Sequence, residues 1–370
     1  MTKRRLLFLS IVMLGVLAAC APNVRPAAHE PVVEKLIELL AARPELRGSL
    51  TEAVDAAAVA GVEDLDAFFG YVDELVTWIP VEREAVPKVL NVHYIVDRAP
   101  GDALNEDRDF SEWMRQMAEA WGAFLDSPAS AAGIESFTSV PDYNVDDYVA
   151  GPSGWLTFNQ FFAREMRPGR RPVAAPGDDA VIVSPADSVF MGSWPIDEKA
   201  TVTVKGATWK IADLLDGSPH ADAFKNGIFT HSFLRTTDYH RYHVPVGGVV
   251  REARNVRGRV YLDVVKRPDG SLAAVNGETY QVNQERGIVV LDSPVVGLVA
   301  VVPVGMSVIS SVNLTPEVGA ELRKGDPFGY FQFGGSDIVL VFQDRQIVLD
   351  AEAGRKYLQG ERIGHAAGRR

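Results

Sequence analysis

The sequence predicts an α+β protein, with an amino-terminal helical region followed by a mainly β core. From residue 31 to about 125, apolar side chains recur at intervals of three and four. Val33, Leu36, Ile37 and Leu40 do so, and again Leu65, Phe68, Phe69, Val72 and Leu75, which is the period of a helix with one buried face. Beyond Gly154 the texture changes to short runs rich in Val, Ile and Tyr, divided by Gly and Pro. Residues 181–183, 249–250, 260–265, 288–291, 298–302 and 338–342 read as strands.

At the start of the chain, Lys3, Arg4 and Arg5 precede an apolar run over residues 6–17 that closes on Leu17-Ala18-Ala19-Cys20. A basic head, a short apolar segment and small residues make an export signal, and the run is too short for a comfortable retained membrane span. The small residues before a lone cysteine resemble the lipobox of bacterial lipoproteins. Residues 1–19 are therefore expected to be removed and Cys20 to carry the lipid, several acyl chains giving a stable anchor where one gives a marginal one. The expected location is a bacterial membrane, as an exported periplasmic or outer-membrane lipoprotein. With a single cysteine the chain forms no internal disulfide.

Residues 20–30, with Pro22 and Pro26, read as a tether, and residues 31–150 as a helical domain. Within it, Thr51 and Glu52 are expected to open one helix and Asp64 another; Pro80 and Pro87 interrupt the pattern before Trp113, Met117 and Trp121 resume it. A polar stretch over 126–154 reads as a connection, and residues 151–370 as the second domain, helical only near 154–164 and 209–215. A net charge of -12 argues against nucleic acid and against a basic membrane-binding face.

Three places in the second half are hard to explain by packing alone. Ser184-Pro185-Ala186-Asp187 puts a carboxylate at a turn after a strand, Tyr239-His240-Arg241-Tyr242-His243 sets two histidines three residues apart, and Gly334-Gly335-Ser336-Asp337 puts a serine in a glycine turn before a strand. Singly, each also reads as a turn cap, a polar strand edge or a tight turn. An Asp, a His and a Ser are the ingredients of an activated nucleophile, though sequence does not place them together. A metal site at His240 and His243 is not expected, since no cysteine remains to complete it.

Taken together and in order, these stretches resemble the phosphatidylserine decarboxylase family. Phe161-Phe162-Ala163-Arg164-Glu165-Met166-Arg167-Pro168-Gly169-Arg170-Arg171-Pro172 is similar to the family's opening segment, Ser184 to Asp187 to its Pro-Ala-Asp motif and Val204-Lys205-Gly206 to the following loop. Asp238 to His243 resembles its Asp-Tyr-His-Arg-x-His signature. Asn283-Gln284-Glu285-Arg286, Val304-Gly305 and Lys324-Gly325-Asp326 follow, and Gly329-Tyr330-Phe331-Gln332-Phe333-Gly334-Gly335-Ser336 resembles the approach to the cut site. Residues 29 to 150 resemble the amino-terminal domain of fungal-type relatives that decarboxylate free aromatic amino acids such as tryptophan.

The resemblance implies a proenzyme cut between Gly335 and Ser336, in which Ser336 attacks the Gly335 carbonyl, His243 is its base and Asp187 orients His243. Ser336 would become a covalent pyruvoyl group, and the two fragments would stay together. Either His240 or His243 would return the proton after carbon dioxide leaves. Phosphatidylserine is the expected substrate, yielding phosphatidylethanolamine; a free aromatic amino acid is the alternative, and an uncleaved binding lipoprotein the alternative of another kind. Two residues depart from the family pattern: Ser188 stands where a glycine follows the aspartate, and Asp337 where a serine or threonine follows the cut-site serine. A carboxylate at Asp337, beside the reacting hydroxyl, would slow the cut by disfavouring the developing oxyanion or help it by accepting a proton; charge alone permits either sign. Met306, where the family commonly has a small residue, reads as a packing change, and Arg241 as an ion-pair former.

Overall fold

A computed structural model describes residues 28–204, 206–275, 280–307, 311–333, 336–343 and 347–367. The expected signal at 1–19, the lipid-bearing Cys20, Lys205, Gly334 and Gly335 lie outside the described residues.

Five long helices, with shorter turns between and after them, make the amino-terminal region: α1 Pro31–Ala42, α2 Pro44–Ala57, α3 Leu65–Val76, α4 Glu82–Val96 and α5 Arg108–Leu125. Local chemistry sets their ends. The Asp64 carboxylate accepts from Ala67 N at the start of α3, and Asp107 accepts from Asp109 N and Phe110 N at the start of α5. Pro44, not Thr51, opens α2; Thr51 lies inside it, donating to Arg47 O. Pro87 does not interrupt α4 but sits within it, tolerated because Val89, Leu90, Val92, Ile95 and Val96 bury the rest of that helix.

The stretch 126–154 is more than a connection. Ile134, Phe137 and Tyr143 are buried in the core shared by the helices, and so are Phe158, Phe161 and Phe162 of a short helix α6, Phe158–Phe162. Helix near 154–164 is limited to α6, which Thr157 caps by accepting from Gln160 N. Trp209 belongs to the strand Ala207–Lys210, with helix only over Ile211–Leu214.

Fourteen strands of the second half frame the site: β1 Val181–Val183, β2 Ser188–Pro195, β3 Ile228–Leu234, β4 Arg241–His243, β5 Gly248–Val256, β6 Arg286–Ser293, β7 Gly297–Gly305, β8 Val312–Leu314, β9 Glu321–Leu322, β10 Pro327–Phe331, β11 Ser336–Phe342, β12 Ile347–Leu349, β13 Lys356–Tyr357 and β14 Arg362–Ala366. Eight of them form one antiparallel sheet in the order β9-β5-β6-β7-β11-β3-β2-β13. Two three-stranded sheets, β8-β10-β4 and β12-β14-β1, accompany it. The strand expected over 260–265 forms only as Asp263–Lys266, paired with Leu272–Val275.

β11 is apolar on both faces because it lies in the middle of the large sheet. Ile338, Leu340 and Phe342 point into one core with Tyr242, Val244, Phe328 and Phe331, whereas Val339 and Val341 point into another with Val302, Val304, Phe229 and Trp209. This alternation decides which way Ser336 and Asp337 face.

Candidate active site

Ser336 is the first residue of β11, opposite Gly305 of β7 and Leu234 of β3. By strand alternation its hydroxyl shares the face of Ile338, and Asp337 takes the opposite face. Ser336 is fully buried, and its Oγ has no hydrogen-bond partner among the described residues. Leaving a hydroxyl buried and unpartnered costs about 1–3 kcal/mol, a penalty that packing alone does not explain.

Asp337 is also fully buried, and one of its oxygens meets His231 Nε2 at 2.8 Å. His231 sits on β3 opposite Val339, so the contact is a diagonal cross-strand one on the face away from Ser336. The expectation of a carboxylate beside the reacting hydroxyl is thereby corrected: adjacent strand residues point to opposite sides, and Asp337 is engaged by His231.

The Pro-Ala-Asp motif lies at the same end of the sheet. Val189, Phe233 and Asp337 form one row across β2, β3 and β11. Ser188 and Ser336 therefore begin two strands apart, about 10 Å at ordinary strand spacing. Asp187, just before β2, is buried and held on both oxygens: Arg171 Nη2 donates at 2.7 Å, Arg171 Nε at 3.0 and 3.2 Å, and Gln359 N at 2.8 Å. The Asp187 carboxylate in turn raises the pKa of Arg171 against the opposing effect of burial. Ser188 is buried, its hydroxyl reaching Ala186 O at 3.4 Å.

The histidine motif is tied to both neighbours through the backbone. His243 N donates to Pro185 O at 2.7 Å, two residues before Asp187, and Phe331 N donates to His240 O at 2.8 Å, five residues before Ser336. His243 Nδ1 lies 2.8 Å from Gly325 O, and because a carbonyl only accepts, that nitrogen carries the proton. The lone pair is then on Nε2, which meets the Tyr239 hydroxyl at 3.0 Å. Burial, partly offset by the bond to Gly325, pushes the His243 pKa below its ordinary value, which favours the neutral ring with its lone pair at Nε2. The hydrogen bond that orients the His243 ring thus goes to Gly325 O, while Asp187, the orienting residue that the resemblance implies, is hydrogen-bonded to Arg171 and Gln359 N.

His240 is fully buried, donates from Nδ1 to Asp238 O at 2.9 Å, and lies against the Phe162 ring at 4.0 Å. Phe162 packs on Phe333 at 5.2 Å, three residues before Ser336. Arg164, buried among Tyr143, Tyr148 and Phe161, donates to Thr237 O and Asp238 O and so fixes the turn leading to His240. Gly329 of β10 admits the Tyr242 ring, which a Cβ there would meet at 2.3 Å. Arg241 donates to Ala163 O and Glu165, as an ion-pair former does, and lies over Tyr330. Met306 is buried in the core shared with the helices.

The profile of the family described as phosphatidylserine decarboxylase matches residues 158–365, more than half of the chain. The chain belongs to the phosphatidylserine decarboxylase family. It is 33% identical over 250 residues to phosphatidylserine decarboxylase proenzyme 2 of Oryza sativa subsp. japonica, which covers 66% of this chain and 39% of that protein. It is 32% identical over 259 residues to proenzyme 3 of Schizosaccharomyces pombe, covering 68% of this chain and 26% of that one. Against the proenzyme of Fusobacterium nucleatum it is 26% identical over 242 residues, covering 64% of this chain and 76% of the relative. The chain spans well under half the length of the first two relatives.

Within this family fold, the motifs of Asp187, His240, His243 and Ser336 are drawn to one end of the sheet. Arg171, His231, Tyr239 and Gly325 complete the arrangement and were given no role from sequence. Arg171, Tyr239 and Gly325 stand inside the quoted motifs, so a signal for them existed. His231 had none: its partner is 106 positions away. Among the described residues no group of His, Cys, Asp and Glu is placed to hold a metal, and no helix is long and apolar enough to cross a membrane.

Proposed function

We propose that this chain is a proenzyme that cuts itself between Gly335 and Ser336 and becomes a pyruvoyl-dependent decarboxylase acting on phosphatidylserine. The observation that carries the reading is the Ser336 hydroxyl, buried at the head of a central strand with no partner among the described residues, in a chain of this family. In the cut, Ser336 Oγ gives up its proton and attacks the Gly335 carbonyl carbon; the Gly335–Ser336 peptide C–N bond breaks, its nitrogen takes a proton, and an ester remains. Loss of the Ser336 α-proton then expels the Gly335 carboxylate, and water replaces the nitrogen, which leaves as ammonia.

The pyruvoyl group supplies the electron-withdrawing carbonyl for loss of carbon dioxide from an amine-bearing carboxylate. His243, neutral with its lone pair on Nε2, is the base of this reading, and it exchanges the Tyr239 hydroxyl for that of Ser336. Asp187 and Arg171 hold the turn that carries the His243 backbone. His240 and His243 are the candidates to return the proton.

A lipid substrate is favoured by a cavity of about 510 Å³ beside the segment leading to the cut, lined in part by Arg241, Tyr330, Gln332 and Trp155. Val149 and Leu156 at this cavity are 45% and 56% exposed, an apolar rim suited to acyl chains. Lipidation of Cys20 in an exported protein would hold this rim at a bilayer.

Mass spectrometry and a denaturing gel of the folded chain test the reading. A small fragment beginning at residue 336 with a blocked end is expected, and Ser336→Ala should give one uncut band. The processed protein should release carbon dioxide from phosphatidylserine vesicles and not from tryptophan. An intact 335–336 bond in the folded protein would leave only a binding module.

A further inference from the structure

The helices grip the chain on both sides of Ser336. On one side, β7 ends at Gly305, the residue paired with Ser336, and two residues later Ser307 adopts φ +57°, a left-handed conformation unfavourable for a residue with a Cβ. The Ser307 hydroxyl lies 2.7 Å from Nε2 of His93, a buried side chain of α4. Met306 between them is buried in the helical core. On the other side, Phe333 packs edge-on against Trp121 of α5 at 5.3 Å, and Trp121 is itself fixed by donating from Nε1 to Trp78 O at 3.0 Å.

We propose that the helical region is a positioning clamp for self-cleavage, acting through His93 on Ser307 and through Trp121 on Phe333. The inference rests on the self-cleavage reading and adds that residues outside the matched family range set its rate. Attack on a neighbouring carbonyl needs near-attack geometry, and a displacement of about 1 Å costs up to about a hundredfold in rate. Ser336 is held by its ladder to β7 and β3, whereas the flanking points Ser307 and Phe333 owe their positions to helices. His93 and Trp121 are positioning residues and touch no reacting atom.

The experiment follows cleavage of the full chain over time in cell-free synthesis, read on a denaturing gel, with circular dichroism of each product. Ser307→Ala and Trp121→Leu should each slow the cut by about tenfold while the chain stays folded. Trp121→Phe, which gives up the bond to Trp78 but keeps a ring edge against Phe333, should cut at close to the unmodified rate. Leu50→Ala, a cavity on α2 among other helices, should lower stability without slowing the cut. Cleavage of Ser307→Ala at the unmodified rate, or equal slowing by Leu50→Ala, overturns the clamp. If the unmodified chain never cuts, the self-cleavage reading fails and the clamp falls with it.

Discussion

The helical region and the β core differ in how each is held together, and they meet where the chemistry is proposed. The helices bury stripes of Leu, Val and Phe and place most of their charges at caps and surface pairs such as Asp107 with Arg43, with Arg115, held by Glu112 and Glu119, a buried exception. The β core instead buries carboxylates: Asp187 against Arg171, Asp337 against His231, and Asp238 against the partly exposed Lys356. Buried polar groups of this kind stabilise less than apolar packing of equal size but are costly to break, which suits a site whose geometry must be unique. The lesson is that the matched family range does not coincide with a packing unit, since Phe158, Phe162 and Phe333 belong to the core of the helices.

This contrast can be broken first on the β side. His231→Ala should cost about 3–5 kcal/mol, because it strands the buried Asp337 carboxylate, and replacing both residues with leucine should recover much of that loss. Urea unfolding of the single and double variants measures it; a neutral single variant would mean that the pair is no more than a surface bridge.

At the seam, His93 supplies a pH-dependent test. Burial lowers its pKa from 6.5 to about 4, so the folded chain refuses a proton that the unfolded chain accepts. Above pH 6.5 the effect is absent; as pH falls from 6.5 to 4 stability is lost, by about 3 kcal/mol in all. His93→Gln lacks this slope, so the stability gap between the two proteins should narrow towards acid. A gap that stays constant from pH 7.5 to 4.5 would show that His93 is not buried against the core.

The smallest effect belongs to the helices. Asp107→Ala removes the cap of α5 and should cost about 1 kcal/mol, visible as a small fall in melting temperature with the cut unaffected. A loss as large as that of His231→Ala would erase the distinction between the two regions.

The helices were legible because their signal is local: one period and one cap, such as Asp64 or Asp107, suffice. Thr51 and Pro87 misled because propensity is weak beside burial. β3 was missed altogether, since Thr230, His231 and Ser232 break the apolar run; the structure accommodates them through cross-strand partners that sequence does not reveal. At the site, the residues that stand in the motifs were legible, but not who touches whom. Asp187 is taken by an arginine sixteen positions away, and His243 by the carbonyl of Gly325. The opposite facing of Ser336 and Asp337 follows once β11 is seen to begin at Ser336 and not at Ile338, because consecutive strand residues diverge.

The placement of β11 has a further consequence. The described strands after residue 335 are woven through the molecule: β11 runs between β7 and β3, β13 closes the sheet's far margin, and β12 and β14 make up two-thirds of a separate sheet with β1. Severing the chain ahead of Ser336 would liberate an end without liberating a piece. The new terminus would be moored by two ladders of backbone hydrogen bonds, free to change its chemistry but not its address.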